Sequence, residues 1–361
     1  MKRRLFIFLL FLIPVFNSCK ENSESKQLTQ STPLAEEIAD GKLPYKRLST
    51  YAFFEGEIKD LQPNQSIIPY EPASSLFTDY ALKSRFISVP EGQKVRLENG
   101  ELNFPTGTVL IKNFYYSSDL NKPEVDKRII ETRLLINTEE GWEAFPYIWN
   151  EEQTDALLKV VGGEKEVKFF DLEGEEQVIN YLIPNKNQCK TCHNKSEDLA
   201  PIGVKVKHLN NEKEFESGRK NQLEFWQERG ILEGFSRKDN YPALVNYQDE
   251  SQALSERAMA YLDINCSHCH QEEGPASTSG LFLEFDQKDP MKLGVMKTPV
   301  AAGNGAGTFD FDILPGKANK SILTYRMNST EVGIAMPELG RTTVHKEGVK
   351  LIREWINAMN E

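Results

Sequence analysis

Two short stretches of the chain carry the same pattern of cysteine and histidine. Residues 189–193 read CKTCH and residues 266–270 read CSHCH, so a histidine directly follows the second cysteine of each pair. On one helical turn, two thiols at this spacing can form thioethers with the two vinyl groups along one edge of a porphyrin, and the histidine then lies beneath the iron. The pattern predicts two covalently bound haem c groups and therefore two iron atoms. The residues expected to hold them are Cys189, Cys192, His193, Cys266, Cys269 and His270, with His193 and His270 as metal ligands.

Other uses of paired cysteines remain open at this point. The chain has five cysteines, and the two motifs use four of them. A disulfide is common for such a pair in an oxidising compartment, two pairs can hold a zinc ion, and a redox dithiol also has this spacing. The 73 positions from His193 to Cys266 favour haem, because zinc-binding pairs usually lie closer together. The histidine in each motif favours haem as well, because a redox dithiol needs none.

The first 18 residues predict a signal peptide. Three basic residues precede the apolar run 5–16, which suits a signal sequence and is too short to span a bilayer. Cys19 follows this run and predicts lipidation, with several acyl chains forming a stable membrane anchor. An ordinary signal peptide with an unmodified cysteine is the alternative, since Phe16 stands where lipoprotein signals usually have leucine. We expect a lipoprotein of the cell envelope that faces the periplasm or the cell surface.

Charge and composition describe the part after the signal peptide. Residues 19–44 are polar and predict a tether between the membrane and the folded region. Removal of the first 18 residues removes three positive charges, so the formal charge changes from −11 to −14. Such an acidic surface would repel nucleic acid and anionic lipid head groups, so neither is expected as a partner. No other stretch of the sequence is apolar enough to span a membrane.

Residues 45–185 predict a β-rich domain. Short alternating or β-branched runs are separated by glycine and proline, which is typical of an antiparallel sandwich or a barrel-like sheet. The many aromatic residues favour core packing over a ligand platform. The predicted strands cover 85–89, 108–115, 128–137, 142–149, 167–170 and 178–183.

Two haem regions are expected to follow. The first segment, residues 186–250, is too short to enclose a haem alone, so the β-rich domain is expected to cover one face of that haem. A helix is predicted over 214–229. Residues 251–361 predict a helix over 253–265 leading into the second motif, and a closing helix over 347–358. A loop carbonyl at residues 274–275 is expected to accept the N–H of His270.

Each iron needs a further ligand unless its site is open. Met336 is followed by Pro337, which would stiffen a loop across the second haem, and we expect Met336 to be the ligand there. Met327 and His345 are the alternatives. No methionine lies near the first motif. Several possibilities remain for the first iron. His208 could be its ligand or an exposed surface residue, the site could be open, or a ligand could come from another part of the chain.

Several runs carry a resemblance to known proteins. Residues 313–316 (ILPG), 321–323 (SIL), 325–327 (YRM), 336–341 (MPELGR) and 348–356 (GVKLIREWI) resemble the haem domain of bacterial class I-like c-type cytochromes. Residues 184–189 (PNKNQC), 221–223 (NQL) and 260–266 (AYLDINC) resemble a family of exported bacterial dihaem c-type cytochromes. The resemblance covers nearly all of the chain after the tether. It implies covalent haems at both motifs and Met336 over the second iron.

These observations predict a fold class and three functions. The expected fold is α+β and multidomain, with an N-terminal antiparallel β-rich domain followed by a mainly α-helical dihaem cytochrome c region. Electron transfer between redox partner proteins of the envelope is the leading function, because a haem with histidine and methionine ligands has no open position. A peroxidase-like oxidoreductase acting on a small oxidant at the first haem is the alternative, and a redox or gas sensor is the third. No catalytic residue is identified.

Overall fold

The structure, a computed structural model, describes residues 43–300 and 302–360. The expected signal peptide and Cys19 lie outside the described residues, as does the tether except for residues 43 and 44. In the described ranges, no helix is both long enough and apolar enough to cross a bilayer.

Seventeen strands are present in the described residues, and most of them lie before residue 184. Each of the six predicted β runs overlaps one of these strands, because alternating and β-branched residues suit the pleated, half-buried surface of a sheet. In chain order the strands are β1 (Phe54–Glu55), β2 (Gln62–Pro63), β3 (Ile67–Pro69), β4 (Leu82–Ser88), β5 (Val95–Glu98), β6 (Glu101–Asn103), β7 (Val109–Tyr116), β8 (Arg128–Thr138), β9 (Gly141–Trp149), β10 (Ala156–Leu158), β11 (Gly163–Phe170), β12 (Glu176–Ile183), β13 (Asn194–Lys195), β14 (Asp198–Leu199), β15 (Glu212–Phe215), β16 (Gly218–Asn221) and β17 (Leu232–Glu233).

A six-stranded antiparallel sheet is the largest of the sheets, with strand order β10-β9-β8-β7-β4-β3. One of its faces packs on the segment before β3, in a core that includes Leu48, Phe53 and Trp149. The other face carries two apolar patches. One patch contacts the segment of the first motif, and the other contacts the hairpin of β11 and β12. The sheet therefore separates an ordinary core from a face that meets the motif-bearing part of the chain.

A parallel strand pair joins the β-rich region to the segment of the first motif. In this pair β17 lies beside β5, with Leu232 opposite Val95, and β6 completes the three-stranded sheet. Trp226 and Leu223 from the same segment are fully buried in one of the apolar patches of the large sheet. The two parts of the chain thus share a hydrophobic core.

The expectation of a mainly α-helical haem region is wrong. The described chain contains more strand (28%) than helix (22%), and its helices are few and short. The α-helices are α1 (Lys186–Cys192), α2 (Val206–Leu209), α3 (Gln222–Glu228), α4 (Leu254–Leu262), α5 (Pro290–Leu293), α6 (Ile322–Met327) and α7 (Lys346–Asn357), with a π-helical turn at Asp263–Ser267 and 3-10 turns at Leu48–Tyr51, Ile58–Asp60, Ser277–Ser279, Gly303–Ala306 and Ala318–Lys320.

Turn-forming residues explain this difference. The helix predicted over 214–229 is replaced in its first half by the hairpin of β15 and β16, because Gly218 has a φ of +97° and favours a tight turn. The helix begins only at Gln222, where the Asn221 side chain accepts hydrogen bonds from two backbone N–H groups. Between residues 271 and 321, repeated glycines and prolines keep the chain in loops and short turns.

The closing helix α7 packs directly against α4. Gly348 makes this close approach, since a Cβ atom at that position would overlap the phenol ring of Tyr261. The buried face of α7 includes Val349, Ile352 and Ile356, in the same core as Leu262 on α4. This contact closes the C-terminal region around the second motif.

Candidate haem-binding site

The first motif is built on a well-capped helix. Asn185 and Gln188 form a capping box at the start of α1, in which each side chain accepts a hydrogen bond from the other residue's backbone N–H, at 2.8 and 2.9 Å. Cys189 and Cys192 are three residues apart and therefore lie on the same face of α1. His193 ends the helix, and its Nδ1 donates to the carbonyl of Ala200 at 2.9 Å. This bond orients the ring and leaves Nε2 available to a metal.

The second motif begins in the π-helical turn that follows α4. Cys266 lies in this turn, and His270 donates from its backbone N–H to the Cys266 carbonyl at 3.0 Å. The Nδ1 atom of His270 donates to the carbonyl of Leu281 at 3.3 Å. The expected type of bond is therefore present, but the acceptor is Leu281 and not the predicted loop at 274–275. The chain folds back after the 3-10 turn Ser277–Ser279, which brings the carbonyl of Leu281 to Nδ1 of His270.

Both motifs line one cavity. Its walls include Cys189, Cys192, His193, Cys266 and His270, whereas Cys269 lies outside the lining. The empty space is about 1650 Å³ when its opening to solvent is counted. The loops after the two motifs are joined by a hydrogen bond from Ser196 N–H to the Glu273 carbonyl, at 3.0 Å. The fold therefore brings together two motifs that are far apart in sequence.

Buried surroundings keep the motif cysteines protonated. All four motif cysteines are free thiols. Burial raises the pKa of Cys189 and of Cys192, and it raises the pKa of Cys266 and of Cys269 to about 12. A reactive dithiol depends on a thiolate, which such surroundings disfavour. The described residues contain no group of three or more His, Cys, Asp or Glu placed to hold a metal ion.

The two histidines are held in the neutral form that binds iron. Burial lowers the pKa of His193 to about 3 and that of His270 to about 4. Each ring has Nδ1 bonded to a backbone carbonyl. Haem c therefore fits these residues: the thiols would carry the tetrapyrrole and the two Nε2 atoms would bind the irons.

Met336 lies on a loop that is held by hydrogen bonds to both its backbone N–H and its carbonyl. The side chain lines the cavity, its backbone N–H donates to the Arg326 carbonyl at 3.1 Å, and its carbonyl accepts from Arg341 at 3.1 Å. Met327 also lines the cavity, but it is 7% exposed and belongs to the C-terminal core. Met336 therefore lies in a loop and Met327 at the end of α6, and Met336 as the iron ligand stays a prediction.

The remaining histidines have different surroundings. His208 is 3% exposed, so the interpretation as a surface residue is wrong; its Nε2 lies 3.1 Å from Asp263, and it does not line the shared cavity. His345 lines the cavity, but its Nδ1 is 3.1 Å from the Tyr261 hydroxyl and its ring stacks on Phe77. His268 also lines the cavity, and its Nδ1 is buried without a hydrogen-bond partner among the described residues.

Two groups of residues around the cavity were not predicted from the sequence. Lys112 and Arg133, from the middle of β7 and β8, line it together with the motifs. A charged residue inside an otherwise apolar strand run was the signal that could have identified them. Asp79 is 1% exposed, and its carboxylate accepts hydrogen bonds from the backbone N–H and hydroxyl groups of Thr342 and Thr343. This contact fixes the chain just after the loop of Met336.

Comparisons with known proteins give no relative: no family model, no curated protein and no solved structure matches the chain.

Proposed function

We propose that this protein is a dihaem c-type cytochrome that transfers electrons in the cell envelope. The observation that carries the proposal is the single cavity lined by both C-x-x-C-H motifs. Each motif supplies free thiols and a neutral imidazole whose Nδ1 is already bonded to a backbone carbonyl. Bound haem iron supplies one-electron oxidation and reduction. The chain's own residues would orient the iron ligands, and the fold holds the two motifs beside one cavity.

The test is the covalent haem content of the matured protein. Acid–acetone extraction is expected to leave the colour on the polypeptide, and the intact mass is expected to include two haems. Cys189→Ala and Cys266→Ala are each expected to impair attachment at their own motif and to leave the other haem in place. A matured chain with one haem or none would contradict the proposal.

The same proposal includes a lipid anchor at Cys19. The protein is then expected to remain with membranes after a high-salt wash, because acyl chains hold by hydrophobic burial and not by charge. Cys19→Ser is expected to release it, whereas Lys20→Ser, one position later, is expected to change nothing. A Cys19→Ser protein that still stays with the membranes would exclude this anchor.

One observation favours a second function, a peroxidase-like oxidoreductase. His268 lines the cavity with a buried Nδ1 that has no partner in the described part of the chain, and a group of this kind can bind an iron or exchange protons with a small oxidant. Cyanide binding to the ferric protein separates the two functions. An electron carrier is expected to bind neither cyanide nor carbon monoxide. A protein that binds both and consumes peroxide in the presence of a reduced donor is an enzyme.

A further inference from the structure

A row of three positively charged side chains crosses the middle of the six-stranded sheet. Arg85 on β4 is directly opposite Lys112 on β7, and Lys112 is directly opposite Arg133 on β8. Side chains in such positions have their Cβ atoms about 4.5–5.5 Å apart, and like charges there repel each other. Lys83, two residues before Arg85, lies on the same face and adds a fourth positive charge.

Apolar surroundings limit how far water weakens this repulsion. Ile87 and Leu110 lie beside the row on one side and Phe114 on the other, and all three are buried. Burial, followed by the neighbouring positive charges, lowers the pKa of Lys83 and of Lys112 well below the usual lysine value. A sheet that carries such a row is strained electrostatically unless an anion lies against it.

The described chain supplies only part of the negative charge that the row needs. Glu131 forms an ion pair with Arg133 and accepts a hydrogen bond from the Tyr181 hydroxyl at 2.7 Å. Within the described residues, no ion pair reaches Arg85 or Lys112. The row therefore keeps an excess of positive charge on a half-buried surface.

This excess charge faces the first motif. Lys112 and Arg133 line the cavity together with Cys189 and Cys192. A ligand held by the first motif would therefore lie within reach of the row.

We propose that Lys112 and Arg133 bind the carboxylate groups of the haem attached at the first motif. The inference rests on the proposed function and extends it to the sheet. A haem carries two propionate carboxylates that neither the thioethers nor the iron ligand uses. Charge-assisted hydrogen bonds between a carboxylate and lysine or arginine are among the strongest in proteins, and they would neutralise the row. The β-rich region then acts as one wall of the haem site.

The experiment measures the midpoint potentials of both haems in the matured full-length protein, from pH 6 to pH 8. Lys112→Met is expected to lower one potential, because a nearby positive charge favours ferrous iron. The expected change is about tenfold in the ratio of reduced to oxidised haem, or about 59 mV for one electron. The same potential is expected to become pH-dependent, because the carboxylate left without its partner takes up a proton more readily. Lys112→Arg keeps the charge and is expected to keep both the potential and its pH profile.

A matched control comes from the hairpin of β11 and β12. Lys168 on β11 is exposed and pairs with Glu166, so Lys168→Met removes a strand lysine away from the cavity and is expected to change neither potential. An unchanged potential and pH profile in a Lys112→Met protein that carries two haems would overturn the inference and leave the proposed function intact. A wild-type protein without two haems would contradict the proposed function itself.

Added succinate distinguishes the two sources of a carboxylate. The wild-type potentials are expected to be insensitive to succinate, because the propionates already fill the site. If succinate shifts a potential in the wild type and not in Lys112→Met, the row binds anions from solution, and its assignment to the haem is wrong.

Discussion

The hydrogen bonds of Asp79 give a prediction whose size follows from the structure. Its carboxylate accepts from the backbone N–H of Thr342 at 2.7 Å and of Thr343 at 2.8 Å, and from both hydroxyls at 3.0 and 2.9 Å. Asp79→Ala removes the acceptor of two backbone donors, one on the exposed Thr342 and one on the half-buried Thr343. A backbone donor left unpaired away from water costs about 1–3 kcal/mol. We expect a loss of about 3 kcal/mol in the free energy of unfolding, allowing for some entry of water.

Asp79→Asn is the conservative comparison. One amide oxygen can still accept from both backbone N–H groups, since the same Asp79 oxygen, Oδ1, accepts from both. We therefore expect a loss of only about 1 kcal/mol, the value of a typical neutral hydrogen bond. Asp249 serves as a control, because it also accepts from a backbone N–H and a hydroxyl, those of Ser251, but in an exposed turn.

The assay is equilibrium urea unfolding, combined with the potential of the haem at the second motif. Asp79→Ala is also expected to lower that potential, because residues 342–343 directly follow the loop that carries Met336. Equal stability of Asp79→Ala and Asp249→Ala would refute the reasoning about the loop. A stability loss without a change in potential would show that the loop does not depend on this anchor.

Three further substitutions test the C-terminal region. Met336→Ala is expected to lower the potential of one haem and to open that haem to cyanide, as measured by spectroelectrochemical titration, because it removes the thioether that we expect to bind the iron. Met327→Ala is the matched control: it is expected to destabilise the core by about 2–5 kcal/mol without opening a haem, and the reverse pattern would make Met327 the ligand. Gly348→Ala would stabilise an exposed helix by about 1 kcal/mol, but here the new methyl group overlaps Tyr261, so we expect a loss of about 1–3 kcal/mol in urea unfolding. A gain in stability would contradict the packing of α7 on α4.

Local sequence patterns predicted the strands well and the helices unevenly. The strand runs alternate between apolar and polar residues and end at glycine or proline, so each overlaps an observed strand. Helices α4 and α7 also lie close to their predicted positions, because both have an apolar face. The region after the second motif has no such periodicity. The expectation of a mainly helical haem region rested on the helices predicted before and after it and on the resemblance to c-type cytochromes. The hairpin at β15 and β16 competes successfully with a helix because Gly218 permits the turn.

The candidate site was predictable where its residues are neighbours in sequence. The two motifs are of this kind, and so is the relation of Met336 to Pro337. Contacts between distant residues were not predictable: Asp79 meets Thr343 across 264 positions. The row through Lys112 depends on the pairing of three strands, which a single run does not reveal. The acceptor for His270 was placed in the wrong loop, because the path of the chain after residue 270 is set by turns.

Burial of the thiols bears on when haem attachment would occur relative to folding. Cys189 is only 6% exposed, and the walls of the cavity around it come from segments as far apart as Leu76 and Val349. An attachment enzyme must reach a thiol and a vinyl group together, and the walls of the cavity limit that access at Cys189. Attachment of the kind proposed here would therefore be easier before these walls come together. Folding would then complete around the haems, and a chain that closed too early would be unable to mature.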